Sequence, residues 1–175
     1  LSSRPLAYIL TVTKTQGEDT SLMGLFIGRE RKVFEEAVSL SRKHNLDLLQ
    51  EPLQKVVVYL EPAEFRSTWL GNKAVYRTRM AIADGGELII LAPGVHSFGE
   101  DPGIDRLIRA FGYQKRLSIL QLVKDDPELA QNLSVAAHLI HGSSDGRFKI
   151  TYAVQHLTGS EVRGVHFAHL SYEEA

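Results

Sequence analysis

The sequence predicts an α/β protein, a three-layer sandwich built on a mostly parallel, Rossmann-like sheet that is preceded by a β-hairpin. The first observation is a pair of short, continuously apolar runs at residues 55–60 and 87–92, which are typical of buried parallel strands. The second is the helical pattern between them, which completes a strand–helix–strand unit. The third is the alternation of strand and helix patterns through the rest of the chain.

Two parts are expected along the chain. We expect residues 1–50 to form a hairpin and a helix that lead in from a preceding N-terminal domain, and residues 51–175 to form a C-terminal α/β domain. The opening part contains two stretches rich in β-branched and aromatic residues, followed by apolar residues at helical spacing. These patterns predict strand, strand and helix at residues 6–13, 22–27 and 33–45.

The middle of the chain carries the first strand–helix–strand unit. The strand at residues 55–60 is apolar at nearly every position, so we expect both of its faces to be covered. A helix is expected over residues 72–83, where Asp84-Gly85-Gly86 provides a stop signal. The strand at residues 87–92 then follows.

Helix signals also order the last third of the chain. Asp126 before Pro127 is a favourable helix start, and Gly142 provides its end. Thr158 and Glu161 match a capping box for a last short helix. The other elements expected here are two helices and two strands, at residues 104–111, 117–123, 147–154 and 164–170.

Composition and charge exclude several classes of protein. Over 175 residues, 43% are apolar and 23% are charged, which is ordinary globular usage. The formal net charge of −1 provides no electrostatic footprint for nucleic acid or an anionic membrane, so we expect neither as a partner. The chain has no cysteine, which excludes disulfides and thiolate metal sites. No apolar run approaches the ~20 residues that span a bilayer. A cytoplasmic location is expected, since it fits the absence of cysteine.

The first candidate site lies where a strand ends and a helix begins. Ligands of open parallel sheets bind at the carboxyl ends of the strands. The loop at residues 61–71 leaves such an end, carries Arg66 and Trp69, and delivers Lys73 into the first turn of the next helix, with Arg77 one turn further on. An ammonium group at a helix start favours a carboxylate or phosphate. The alternative is a solvated lysine.

A second loop, at residues 93–103, leaves the next strand. It offers glycines and His96, which would supply backbone donors and a titratable group. The alternative is a tight turn in which Asp101 caps the following helix. Trp69 has two interpretations as well, since it would either stack on a planar ligand or cover the core.

His138 and His141 form a histidine pair three residues apart on a predicted helix. Residues three apart share a helix face, so this pair suggests a metal site. Histidines near a helix C-terminus are also favoured by the dipole. We therefore expect a capping or packing role and predict no metal ligand in this chain. Because helix C-termini lie at the edge opposite to the strands' carboxyl ends, we expect both histidines away from the Lys73 loop.

Five segments carry a resemblance to a known family, namely residues 70–77, 84–95, 98–101, 108–113 and 136–148. They resemble the C-terminal domain of the nickel-pincer-nucleotide-dependent lactate racemase family, and most closely its members of unassigned substrate. The opening hairpin with Phe26-Ile27-Gly28 resembles the segment that leads into that domain. The resemblance covers most of the chain.

The resemblance implies a two-domain racemase or epimerase of 2-hydroxyacids. In that family, hydride moves from substrate C2 to a nickel-pincer nucleotide and returns to the other face. The nickel-binding, cofactor-anchoring and general-base residues are implied to belong to the N-terminal domain of the same protein. Lys73, by its position ahead of Gly85-Gly86, matches the lysine that the C-terminal domain contributes. Trp69 and Leu70 stand where lactate racemase has tyrosine and glutamine, which implies a different, bulkier or sugar-like hydroxyacid.

The resulting hypothesis makes Lys73 the catalytic residue, which holds the hydroxyacid's carboxylate or hydroxyl in an interdomain cleft, and places Asn72 beside the cofactor. Further substrate contacts are expected from four side chains around it: Trp69, Arg66, Arg77 and His96. The isolated chain would be inactive. The alternatives are a non-catalytic α/β module that captures a small carboxylate or other anion at the same helix start, and a small metalloenzyme built on the two histidines.

Overall fold

The computed structural model describes residues 6–175, which form two compact units that meet in sequence between Gln50 and Glu51. The first unit follows the order β1 (Tyr8–Gln16), β2 (Asp19–Gly28) and α1 (Arg31–Asn45). β1 and β2 pair antiparallel, so the predicted hairpin is confirmed. Gly17, with φ of 62°, lies in the turn between the strands, where this left-handed conformation favours glycine.

The second unit, Glu51–Ala175, contains the parallel sheet. Its elements are, in order, β3 (Leu53–Tyr59), α2 (Thr68–Gly71), α3 (Lys73–Thr78), β4 (Ile82–Ala92), α4 (Pro102–Phe111), α5 (Arg116–Asp125), α6 (Pro127–Gln131), α7 (Leu133–His141), β5 (Lys149–Val154), α8 (Gly159–Gly164) and β6 (Ala168–Ser171). The strands lie side by side in chain order, β3-β4-β5-β6, and every neighbouring pair is parallel. The predicted α/β fold is confirmed.

The apolar core of this unit gathers on one face of the sheet. Alternate residues of β4 and β5, such as Leu88, Ile90 and Tyr152, belong to a single buried cluster with apolar residues of α3 to α8. Crossovers of the usual right hand between strands in sequential order return on the same side, which explains this arrangement. The carboxyl ends of the strands therefore meet at one edge, next to the loops that lead into α2 and α4.

The expectation that β3 is covered on both faces is wrong. Val57 and Tyr59 point away from the core cluster and remain 56% and 55% exposed. Val56 and Val58, on the other face, pack against the cluster. A strand buried on both faces and a strand with one apolar face exposed to solvent can have the same continuous apolar run. The sequence pattern therefore does not distinguish them.

The predicted helix over residues 72–83 is also wrong. Only the short helix α3 lies in that range; it ends at Thr78, and β4 already begins at Ile82. Gly85 and Gly86 thus lie inside a strand and do not stop a helix. Gly85 has φ of 79°, and a side chain on Gly86 would place its Cβ 2.8 Å from the carbonyl oxygen of Gln54 in the neighbouring strand. The left-handed conformation accounts for Gly85 and the close approach of β3 accounts for Gly86, so neither glycine ends a helix.

The helix predicted to run from Pro127 to His141 is divided. Asn132 leaves helical geometry, with φ of −119° and ψ of 56°, and separates α6 from α7. The helices are short in general: α1 has 15 residues, and α4 and α5 have 10 each. None of the helices within residues 6–175 has the length and apolar character needed to cross a membrane.

Candidate functional site

The two loops at the strands' carboxyl ends are joined to each other. The backbone N–H of His96 donates to the carbonyl of Arg66 at 3.0 Å, and Ser67 pairs with Ser97 in a parallel bridge. Two further backbone bonds continue the pairing, from Thr68 N–H to the Ser97 carbonyl at 3.1 Å and from Trp69 N–H to the Phe98 carbonyl at 2.9 Å. The structure thus brings Arg66 and His96 together, and both side chains are exposed.

Asp105 fixes the second loop from the helix that follows it. Its Oδ1 accepts the backbone N–H groups of Phe98 at 2.6 Å and Gly99 at 3.2 Å. Its Oδ2 accepts from Arg109 at 2.6 Å, and that guanidinium lies over the Phe98 ring. Burial acts to raise the pKa of Asp105, but the hydrogen bonds from Arg109 and the two backbone groups outweigh it and lower the pKa. Asp105 is therefore a charged anchor of this loop.

The capping interpretation of the second loop is correct for Asp101. Its side chain accepts the backbone N–H of Ile104 at 2.9 Å, and Pro102 follows at the first position of α4. His96 is also exposed in this loop, beside the first loop's backbone.

Lys73 begins α3 with its side chain half-buried. Its ammonium nitrogen lies 5.8 Å from the centre of the Phe65 ring, and within residues 6–175 no carboxylate forms an ion pair with it. α3 has only six residues, so the helix dipole is too small to carry the argument for an anion at its start. The argument for an anion at this position therefore depends on the unpaired ammonium group of Lys73. Arg77 is exposed, four residues further on.

Asn72 lies inside the core and not at the surface. It is fully buried, and its Oδ1 accepts the Tyr152 hydroxyl at 2.7 Å. Its Nδ2 is the one enclosed side-chain polar atom of residues 6–175 without a hydrogen-bond partner. A Cβ on Gly142 would come within 2.4 Å of that nitrogen. Asn72 is thus enclosed by β5 and the end of α7, where a nucleotide outside the unit cannot touch it.

A buried hydroxyl pair anchors the segment on the other side of Trp69. The Thr68 hydroxyl donates to the Phe98 carbonyl at 3.0 Å, and the Thr68 and Tyr113 oxygens are 2.8 Å apart. The Tyr113 oxygen also lies 3.0 Å from Nε2 of His138. Burial raises the pKa of Tyr113, although the Thr68 hydroxyl and the nearby Asn72 amide act in the opposite direction. Asn72 Nδ2 approaches Tyr113 without reaching hydrogen-bond geometry. Tyr113 therefore stays un-ionised.

His138 stacks directly on Trp69. The ring centres are 4.1 Å apart and the planes are inclined by 29°. Burial and, to a smaller extent, the charge of His141 lower the pKa of His138 to about 4. The expectation that both histidines lie away from the Lys73 loop is wrong for His138, because α7 packs against that loop through the stack on Trp69. His141 is exposed.

We call residues 67–73 the anchored segment, because side chains from three distant elements hold it. Sequence reasoning missed these partners: Tyr113, His138 and Tyr152. One signal was available, since a tyrosine inside an otherwise apolar buried strand, as in β5, needs a partner for its hydroxyl. Nothing in the local pattern identifies that partner as Asn72, which is 80 residues away.

A cleft of about 690 Å³ lies elsewhere, where β5 and β6 begin. It is lined by side chains of mixed polarity that include Lys115, Ser118, Asp145, Lys149 and His166. None of the site residues predicted from the sequence lines it. Among residues 6–175, no three side chains of the types that ligate metals converge on one point.

Solved structures match most of the length of the chain. No protein-family model matches the chain, and no curated protein matches it. A crystal structure of a Thermotoga maritima protein from the Northeast Structural Genomics Consortium matches with a TM-score of 0.73 and 24% identity, over 97% of this chain and 43% of that one. The lactate racemase apoprotein from Thermoanaerobacterium thermosaccharolyticum matches with a TM-score of 0.59 and 13% identity, over 87% of this chain and 36% of that one.

These similarities show a shared fold. The chain spans less than half the length of either of these structures. The fold of this chain is thus similar to that of part of a lactate racemase.

Proposed function

We propose that this chain is the substrate-side domain of a hydroxyacid racemase or epimerase of the lactate racemase type, in which Lys73 binds the substrate. The observation that carries the proposal is the ammonium group of half-buried Lys73, which has no carboxylate partner within residues 6–175 and lies at the end of a segment held by three distant side chains. The structural similarity to a lactate racemase supports the same assignment.

The chemistry of Lys73 suits the carboxylate of a 2-hydroxyacid. An ammonium group donates up to three hydrogen bonds and carries the opposite charge. Because Thr68, Trp69 and Asn72 are each held from another element, the backbone that presents Lys73 has few alternative conformations. Such preorganisation lowers the entropy that a ligand must overcome on binding. Lys73 would therefore hold and orient the substrate.

A nickel-pincer nucleotide, if bound in the proposed enzyme, would supply the acceptor for hydride from substrate C2. The described residues offer no set of metal ligands, and Asn72, the residue expected beside the cofactor, is enclosed in the core. This chain's residues therefore do not fit the role of holding the cofactor. In the proposal, nickel and nucleotide are held by another domain of the same protein, and this chain contributes substrate contacts alone.

The experiment begins with the protein as it occurs in its source cells. Its intact mass is compared with the 19.5 kDa of this chain, and the purified protein is assayed for interconversion of 2-hydroxyacid enantiomers or epimers in D2O. We expect a larger mass, and turnover without deuterium at C2, because hydride carried by a cofactor does not exchange with solvent. In that protein, Lys73→Ala should lower kcat by about 100-fold or more, with nickel content unchanged.

Lys124→Ala is the matched control, because Lys124 is an exposed lysine of α5. It should leave turnover at the wild-type level. Near wild-type turnover of Lys73→Ala, or solvent deuterium at C2, would contradict the proposal. A native mass of 19.5 kDa would replace it with the non-catalytic anion-binding module, which saturable carboxylate binding that depends on Lys73 would then support.

A further inference from the structure

The hydrogen bonds around Tyr113 determine where the proton of His138 resides. The Phe98 carbonyl can only accept, so it takes the single hydroxyl hydrogen of Thr68. The Thr68 oxygen must then accept the hydrogen of Tyr113, 2.8 Å away. Tyr113 has no second hydrogen, so its oxygen accepts from Nε2 of His138 at 3.0 Å. His138 therefore carries its proton on Nε2.

The other ring nitrogen of His138 is consequently a bare acceptor. A neutral imidazole with hydrogen on Nε2 has a lone pair on Nδ1. Within residues 6–175, Nδ1 has no hydrogen-bond partner, yet it is not enclosed, since Asn72 Nδ2 is the only enclosed and unpartnered side-chain nitrogen or oxygen there. Trp69 stacks on one face of the ring, and the Tyr113 ring packs against it at a steep angle. Nδ1 is thus an unpartnered acceptor that is not fully enclosed, on a ring stacked against the anchored segment.

We propose that Nδ1 of His138 accepts a hydrogen bond from a hydroxyl group of the ligand whose carboxylate Lys73 binds. This inference rests on the proposed function and adds a specificity-determining residue to it. An acceptor without a hydrogen repels a carboxylate oxygen and attracts a hydroxyl, whereas the ammonium of Lys73 has the opposite preference. Trp69, whose ring lies on His138, precedes Lys73 by four residues, about one helical turn, within the anchored segment.

The ionisation of His138 is consistent with this role. With its pKa lowered to about 4, the ring stays neutral at physiological pH, so Nδ1 keeps its lone pair. The ionisable groups that face the ring are Tyr113 across the hydrogen bond and His141 on its own helix. Trp69 covers one face of the ring without a charge.

The test compares acids that differ only by the hydroxyl group. Lactate against propionate, and mandelate against phenylacetate, are titrated into the full chain while backbone amide NMR shifts are followed. We expect each hydroxyacid to bind about five-fold more tightly than its deoxy partner, the effect of one hydrogen bond. His138→Phe, which keeps the stack on Trp69, should make the two affinities of each pair equal. His141→Phe, one turn further along α7, should preserve the ratio.

The tautomer provides a second measurement that does not depend on any ligand. The ¹⁵N shifts of the His138 ring at pH 7 should show Nε2 protonated and Nδ1 bare, and Tyr113→Phe should weaken that preference by removing the acceptor. Protonation on Nδ1 would overturn the proposal. Equal binding of the paired acids by the wild-type chain, an unchanged ratio in His138→Phe, or the absence of saturable shifts with every acid would also overturn it.

Lys73→Ala separates this inference from the proposed function. It should weaken the hydroxyacid and the deoxy acid alike and leave their ratio unchanged. If Lys73→Ala alters neither affinity while His138→Phe equalises them, the role of Lys73 fails and that of His138 stands. If Lys73→Ala weakens both acids and His138→Phe preserves the ratio, the reverse holds.

Discussion

At the scale of single residues, the neutral state of His138 depends on neighbours from other elements. The side chain is stacked on Trp69 from α2 and bonded to Tyr113, which follows α4. Removal from water penalises the imidazolium, and Tyr113 offers no negative charge to compensate because its own pKa is raised by burial. A protonated ring would therefore weaken the packing around the anchored segment.

The pH dependence of stability follows from that shift. The pKa of His138 is about 4 in the folded chain and 6.5 ordinarily. Between these values the unfolded chain binds the extra proton, so stability falls as pH decreases from about 6.5 to about 4, with a slope approaching ~1.4 kcal/mol per pH unit. Urea unfolding at a series of pH values measures the slope, with Trp69, the single tryptophan, as the fluorescent probe.

His138→Phe should remove this component of the pH dependence, and His141→Phe should retain it. A wild-type slope that is identical to that of His138→Phe between pH 6.5 and 4 would contradict the burial of a neutral histidine. The lowered pKa values of Glu87 and Asp105 act in the same direction, from about their ordinary values of 4.5 and 3.8 downward. The wild type and His138→Phe share these carboxyls, so the difference between the two slopes isolates the histidine.

At the scale of elements, the seating of α7 against the anchored segment depends on Gly142 at its end. Gly142 has φ of −78°, which any residue adopts, so its role is steric and not conformational. A Cβ there would lie 2.4 Å from Asn72 Nδ2 and 2.7 Å from a ring carbon of Tyr113. Both neighbours are buried and held by partners, so neither can move without disturbing the segment.

Gly142→Ala should therefore destabilise the chain by about 1–3 kcal/mol, the usual cost of overpacking a core. Thermal or urea unfolding measures the change, and the fluorescence of Trp69 should shift because α7 carries His138. Gly164→Ala is the control, since nothing lies within 4 Å of a Cβ at Gly164. Equal stabilities of the two variants would contradict the close approach of α7 to Asn72.

At the scale of the whole molecule, the two units differ in how much of an apolar core each one contains. Every residue of the buried cluster around the parallel sheet, from Leu60 to Phe167, belongs to Glu51–Ala175. The hairpin and α1 bury Val12 and Ala37 against each other but leave Ile9 and Ile27 largely exposed. The core of the second unit is thus complete without residues of the first.

A chain limited to residues 51–175 should accordingly fold by itself. We expect cooperative unfolding, and a Trp69 emission spectrum equal to that of the full chain, because all contacts of Trp69 described above lie within the second unit. Circular dichroism and fluorescence during urea unfolding check this. Non-cooperative unfolding of the shortened chain would show that the first unit is required for the core.

Much of the element order was open to prediction because its signals are local. The apolar runs of β3 and β4, the cap at Asp101 and the capping box at Thr158 are each recognised from a few neighbouring residues. The glycines of β4 were misread for the same reason, since a local pattern does not distinguish a glycine that ends a helix from one that admits a neighbouring strand.

The sequence by itself determined the α/β class, the hairpin, and the loops that contain Lys73 and His96, because periodicity and turn chemistry act over a few residues. Only the tertiary structure decided that Asn72 is buried against Tyr152 and that His138 stacks on Trp69. Asn72 and Tyr152 are 80 positions apart in the sequence, and Trp69 and His138 are 69 positions apart. Both contacts depend on how α7 and β5 pack, and packing is a property of the assembled core that no local spacing encodes.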